Sequence, residues 1–470
     1  MTAVAINART TASDIAALVR SRKLSAREVA EDTLQRIARN NSALNAFTDV
    51  TARRLRAEAD AVDTAIAAGR DPGPLAGVPF AVKNLFDIEG LPTRAGSKIN
   101  REHAPAQADA TLIERLRAGG ALLAGGLNMG EYAYDFTGRN AHDGPSRNPH
   151  DLERMSGGSS GGSGSAVGGG LVPIALGSDT NGSIRVPSSL CGTFGLKPTF
   201  GRLSRGGSFM FVASLDHLGP LARSVTDLAL SYDAMQGADE RDPVCAPPAI
   251  EPALPHLEDD IADLRIAIAG DYFAKGAQPE AFEAVATVAK ALAADRRVTL
   301  PEAARARAAA FLITSAEGAN LHRERLRTRA ADFDPETRDR FLAGCLLPAG
   351  WYVQAQRFRR WYRARLLELF MEVDVILAPA TPCTAPHIEQ TTMELGGQIV
   401  PVRANMGIFT QPISFVGLPV VAVPIQRVGG LPIGVQVIAA PWNEIVALRV
   451  ARRLEREGIA SAVVPERFVV

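Results

Sequence analysis

Residues 155–192 read MSGGSSGGSGSAVGGGLVPIALGSDTNGSIRVPSSLCG, and the fold follows from how this stretch is read. From Ser156 to Ser178 there are 23 residues without a charge, nine of them Gly and six Ser. A membrane span of that length is excluded by composition, because so much Gly and Ser makes a poor helix and Pro173 would break one. Glycine admits positive φ and close approach, so the run predicts a loop wrapped around something small. A flexible linker is the bland alternative. Against it, the run continues into Leu171 to Leu176, an apolar stretch expected to be a buried strand, and then into the turn Ser178-Asp179-Thr180-Asn181-Gly182-Ser183.

The two blocks GGSSGGSGSAVGGG and GSDTNGSIRVPSSLCG, with Gly77-Val78-Pro79-Phe80-Ala81-Val82-Lys83 upstream, resemble the signature of the amidase signature family of Ser-Ser-Lys amidohydrolases. The resemblance implies an α/β/α sandwich with a mixed central sheet flanked by helices. It also implies one catalytic domain over 1–470, with the core signature at 75–235.

Composition is compatible with that reading. Hydrophobic residues make up 46% of the 470, and 51 basic residues balance 51 acidic ones, so nothing points to nucleic acid or an acidic membrane surface. Cys191, Cys245, Cys345 and Cys383 are scattered and form no CxxC pair, which suits reduced thiols in a cytoplasmic protein. The N-terminus MTAVAINARTTASDI shows no export signal. Only six of the 51 basic residues are lysines. Lysine, unlike arginine, gives up its proton when desolvated, so a lone Lys inside an apolar run stands out.

Along the chain, Ser25 and Glu28 make a capping-box pattern opening a helix that is expected to stop at Asn40-Asn41. Leu44 to Val50 reads as a strand, Ala52 to Gly69 as a helix, and Pro79 to Val82 as a short buried strand ending at Lys83. Ala110 to Gly119 reads as a helix and Ala121 to Ala124 as a strand, with Gly125-Gly126 in the turn after it. Alternation of this kind predicts an α/β sheet. A loop at Pro247-Pro248, Pro252 and Pro255 opens a mostly helical excursion over about 243–370, with a strand at Leu264 to Ile268 and helices at Glu280 to Ala294 and Ala303 to Ala331. Arg357 to Arg363 forms a basic helix face, read as a solvated or ion-paired surface. Val373 to Pro379, Val420 to Pro424 and Ile433 to Ile438 read as strands that complete the sheet, followed by a helix from Trp442 to Gly458.

Amide hydrolysis without a metal needs a nucleophile, a proton shuttle and donors for the tetrahedral oxyanion. Ser183 is the candidate nucleophile, in a tight turn where the amides of Thr180, Asn181, Gly182 and Ser183 can converge as an oxyanion hole. Lys83 can serve as base if burial among Phe80, Val82, Leu85 and Phe86 depresses its pKa. The family resemblance supplies the bridging hydroxyl, Ser159, and completes the triad Lys83, Ser159 and Ser183. Two positions depart from the family, Asn181 where Gly is usual and Asn84 where Asp is usual. The first bears on which substrate is accepted.

Other readings compete. Gly-x-Ser-x-Gly matches centred on Ser159 and Ser160 fit a nucleophile elbow, for which His217 is the best available histidine. A phosphate loop lacks its motif, and the histidines and cysteines show no metal-ligand spacing, so no metal or cofactor is expected. Tyr134 is a candidate substrate contact. Arg185 either braces the turn through Asp179 or meets a substrate carboxylate; Lys98 and Lys197 read as structural. Further stretches, such as 95–101, 195–205 and 433–444, are similar to one branch of the family that acts on a small carboxylated urea derivative. That branch implies ammonia release and a small helical accessory subunit, in a homodimer or heterotetramer. A glutaminase-type subunit of a tRNA-dependent amidotransferase and a catalytically silent scaffold are the alternatives.

Overall fold

The computed structural model describes residues 6–245 and 248–469; the first five residues, Pro247 and its neighbour Ala246, and the last residue lie outside it. Among the described residues are thirteen strands. In chain order they are β1 (Phe47–Val50), β2 (Pro79–Lys83), β3 (Leu122–Leu127), β4 (Ile174–Asp179), β5 (Phe194–Lys197), β6 (His217–Ala222) and β7 (Ile266–Ala269). There follow β8 (Arg297–Val298), β9 (Val375–Pro379), β10 (Thr392–Leu395), β11 (Gln398–Pro401), β12 (Val420–Ile425) and β13 (Ile433–Ala439).

Eleven of these form one mixed sheet in the order β1-β3-β2-β4-β6-β5-β12-β13-β9-β7-β8, while β10 and β11 pair separately. At its centre β2 runs parallel to both β3 and β4, and β4 is antiparallel to β6. The central strands β2, β4, β5, β12 and β13 are buried throughout, which is why they read as continuous apolar runs rather than alternating ones. Helices flank the sheet. Gly161–Gly168 and Arg185–Cys191 pack on each other, the former against β4 and the latter against β5, β12 and β13. Val225–Met235 and Glu444–Arg456 likewise pack together, over β6 and β12.

The capping box at Ser25 and Glu28 is formed, but its helix runs on to Leu44, through Asn40-Asn41, and the strand after it begins only at Phe47. The stop is Asn45, which takes the left-handed conformation that asparagine tolerates. Gly125 and Gly126 belong to β3 rather than to a turn, since they pair with Val50 and Asp49 of β1. The largest correction concerns the Gly/Ser tract, whose centre is the helix Gly161–Gly168. Helix propensity loses about 1 kcal/mol per glycine here. The helix persists because it is entirely buried and only glycine lets it come so close: a Cβ on Gly162 would stand 2.5 Å from the Asn128 carbonyl oxygen and 2.6 Å from that of Ala46. The 243–370 region holds the long helices Ala303–Arg329, Pro335–Cys345 and Ala349–Leu369, and it also gives β7 and β8 to the main sheet. Among the described residues no helix is long and apolar enough to cross a membrane.

Candidate active site

The parallel pair β2 and β4 ends its strands side by side, with Val82 in register with Leu176. Carboxyl ends of adjacent parallel strands are where α/β sheets present their chemistry. Lys83 closes β2, and Ser178 and Asp179 close β4. Lys83 is fully buried; its Nζ lies 2.6 Å from Ser159 Oγ and 2.8 Å from Ser178 Oγ. Burial pushes its ammonium from the ordinary 10.5 down to about 7, against the upward pull of Asp216, Asp179 and Asp135. A neutral amine on two hydroxyls can take up and return a proton near neutral pH.

Ser159 and Ser183 are both buried, and the peptide bond from Gly158 to Ser159 is cis. Ser183 sits in the turn that follows β4. Among the described residues, the amides of Thr180, Asn181, Gly182 and Ser183 donate no hydrogen bond, which leaves all four free for an oxyanion. Gly182 has φ +144°, and a Cβ there would fall 2.1 Å from Thr410 Oγ1, so the turn is closed to any other residue at that position.

Two buried carboxylates hold the turn. Asp216 accepts from the Thr180 hydroxyl at 2.6 Å and from the amides of Phe211 and Val212. Asp179 accepts from the Ile184 amide and from Nε and Nη2 of Arg185. Burial would raise the Asp179 carboxyl, but the guanidinium beside it holds it well below the usual carboxylate range. Arg185 also donates to Gln436 and Ser414 and has no exposed surface, so of its two readings the geometry supports the brace.

The helical region covers this turn from outside. Asn181 Nδ2 donates to Thr314 Oγ1 at 2.9 Å, while its Oδ1 is buried with no partner among the described residues. Next along the same helix, Ser315 Oγ lies 3.0 Å from Tyr134 Oη, and the Arg340 guanidinium lies 3.4 Å from the centre of the Tyr134 ring. Arg340 donates to the Tyr134 carbonyl, and among the described residues it has no carboxylate within ion-pair distance. A largely buried, unmatched guanidinium here was not legible in the sequence, where Arg340 is one of 45 arginines. Ser178 was also missed. Its signal is the register of β2 with β4, which places it at the same sheet end as Lys83.

His217 does not serve a serine elbow. Its Nδ1 meets the Asp179 carbonyl, its Nε2 has no partner among the described residues, and Ser160 Oγ bonds instead to the Ser178 carbonyl. Lys197, expected to be structural, is as buried as Lys83, and among the described residues its Nζ reaches only the Pro198 carbonyl. Lys98 pairs with Asp332 at the surface. Tyr132 is a core residue, donating to Asn100 and packing on His322.

The pattern shared by the family described as Amidase matches residues 28–448. The chain belongs to this amidase family. It is 55% identical over 444 residues to the 1-carboxybiuret hydrolase subunit AtzE of Pseudomonas sp. (strain ADP), covering 94% of this chain and 97% of the relative. One of the glutamyl-tRNA(Gln) amidotransferase subunits, from Chromohalobacter salexigens, is 38% identical over 475 residues, covering 95% and 96%. A solved structure from a vestigial protein complex, described as revealing the evolutionary origins of an s-triazine catabolic enzyme, superposes with TM-score 0.96 at 54% identity, covering 97% of this chain and all of that one. The mixed sheet with flanking helices is thus the amidase fold, and the protein is a hydrolase of carbon–nitrogen bonds.

Proposed function

We propose that this amidase opens the C–N bond of a small linear ureide carrying a carboxylate, 1-carboxybiuret being the substrate, and releases ammonia through an acyl-enzyme on Ser183. The observation that carries the reading is the dry contact of Lys83 Nζ with Ser159 Oγ beside a turn whose amides are free. Neutral Lys83 draws the Ser159 proton as Ser159 takes the proton of Ser183, whose oxygen attacks the carbonyl carbon. The negative oxygen that forms is held by amides from among Thr180, Asn181, Gly182 and Ser183, with the Thr180 hydroxyl fixed by Asp216. On collapse the proton returns through Ser159 to the leaving nitrogen, which departs as ammonia. Water then enters by the same relay and frees Ser183.

Arg340, stacked on Tyr134 and lacking an anionic partner, is the group proposed to hold the carboxylate end of the substrate. That relatives are named as subunits of a hydrolase and of an amidotransferase supports an accessory subunit; this is proposed to be small and helical, in a heterotetramer or beside a homodimer, in the cytoplasm. The test is ammonia release from carboxybiuret, biuret and glutamine by the purified protein, alone and with its accessory subunit. Turnover of carboxybiuret is expected; turnover of glutamine alone would transfer the chain to the amidotransferase reading.

A further inference from the structure

The basic face at Arg357 to Arg363 belongs to the helix Ala349–Leu369, and part of it lines a cavity of about 470 Å3 away from the catalytic turn. Arg359, Arg360 and Arg363 line the cavity together with Phe200, Gly417 and Trp442, and among the described residues no carboxylate lines it. Arg359 and Arg363 are four residues apart on one helix face, a like-charge spacing that costs free energy unless something offsets it. The neighbouring arginines are matched inside the protein: Arg202 pairs with Glu444 and Arg205 with Asp242. The guanidinium groups of Arg360 and Arg363 have no hydrogen bond or ion pair among the described residues.

Arg359 connects this cavity to the catalytic turn by two short routes. Its Nη2 donates to the Ser214 carbonyl at 2.7 Å, two residues before Asp216, which holds Thr180. Its Nε donates to the Phe415 carbonyl at 2.6 Å, next to Ser414, whose hydroxyl donates to Asp179 at 2.9 Å. We infer that the cavity is an effector site for a small anion carrying at least two negative charges, of the phosphate or polycarboxylate class, seated on Arg360 and Arg363 and sensed through Arg359. Guanidinium forks bind such groups by paired, charge-assisted hydrogen bonds.

The experiment is calorimetric titration with inorganic pyrophosphate and with citrate, at fixed ionic strength and with acetate as the singly charged control. The wild type, Arg360→Ala/Arg363→Ala, Arg363→Glu and Ser183→Ala proteins are compared. At least one of the two multiply charged anions is expected to bind the wild type with a dissociation constant below about 1 mM and to bind both arginine variants at least about tenfold more weakly. Ser183→Ala is expected to bind as the wild type does, which separates this site from the reaction on Ser183. The same anion should change the rate of amide turnover in the wild type and leave the double variant unaffected. Absence of binding by both anions, equal binding by the arginine variants, or binding without effect on turnover would overturn the inference.

Discussion

The Nζ of Lys83 stands 2.6 Å from the Oγ of Ser159, and neither residue has any exposed surface. The strand that ends in the lysine and the tract that carries the serine are held together only by the fold, 76 residues apart in sequence. Everything the site does chemically depends on the amine being neutral when it meets that hydroxyl.

Activity should follow the deprotonation of Lys83. With its pKa brought down to about 7, kcat/KM is expected to rise with pH through that midpoint and then level off, because only the neutral amine can accept the relay proton. A pH–rate profile measured with a neutral amide checks this. A midpoint near the ordinary lysine value of 10.5 would contradict it.

Replacing the lysine should abolish turnover and yet help folding. A lysine whose folded pKa lies below its unfolded one costs stability at low pH, and that cost fades as pH rises from about 7 to 10.5. Lys83→Met is therefore expected to lose at least about 10³-fold in kcat while gaining up to about 3 kcal/mol of stability at pH 6, less what the orphaned Ser159 and Ser178 hydroxyls cost. Denaturant unfolding at pH 6 and pH 9 reads the sign: the gain should shrink at the higher pH.

Ser178 gives the lysine its second hydroxyl, at 2.8 Å. Ser178→Ala removes an acceptor of the ammonium, so the midpoint of the pH–rate profile should move to lower pH and kcat fall about tenfold or more. An unchanged profile would reduce Ser178 to packing.

Arg340 is expected to act on binding of the charged end of the substrate and not on the chemistry. Arg340→Met should raise KM for a carboxylated ureide about 30-fold, the loss of roughly 2 kcal/mol in charge-assisted hydrogen bonds, and leave a neutral amide within about threefold. Equal losses on both substrates would show that the arginine only supports Tyr134.

Arg185 and Asp179 test the scaffold. The pair is fully buried at 3.0 Å, and removing one member leaves an uncompensated charge. Arg185→Met should lower stability by about 3–5 kcal/mol, read by denaturant unfolding, with activity lost in proportion to the unfolded fraction and to the loosened turn.

Much of this site is legible in the sequence. Pro79 to Lys83 reads as a buried strand because four apolar residues end in one of very few lysines, and burial on both faces makes the pattern continuous. The Ser183 turn is legible from Asn-Gly after an apolar run. What stays hidden depends on tertiary neighbours. The helix Gly161–Gly168 contradicts its own propensity because its contacts, not its residues, decide its state. Arg340 and Thr314 reach the site from a region more than a hundred residues away, and nothing local marks them out. Lys197, read as structural, has the burial of Lys83, but among the described residues its Nζ meets a backbone carbonyl and no hydroxyl.

Ser183 is the residue proposed to be acylated, and Lys83 the base that makes it reactive. The most direct test is peptide mass spectrometry after treatment with a serine-reactive phosphonate, on the wild type and on Lys83→Ala. One label is expected, on Ser183, formed in the wild type and slowed at least about 10²-fold in the variant. Label on Ser159 or Ser160, or equal labelling of Ser183 without the lysine, would contradict it.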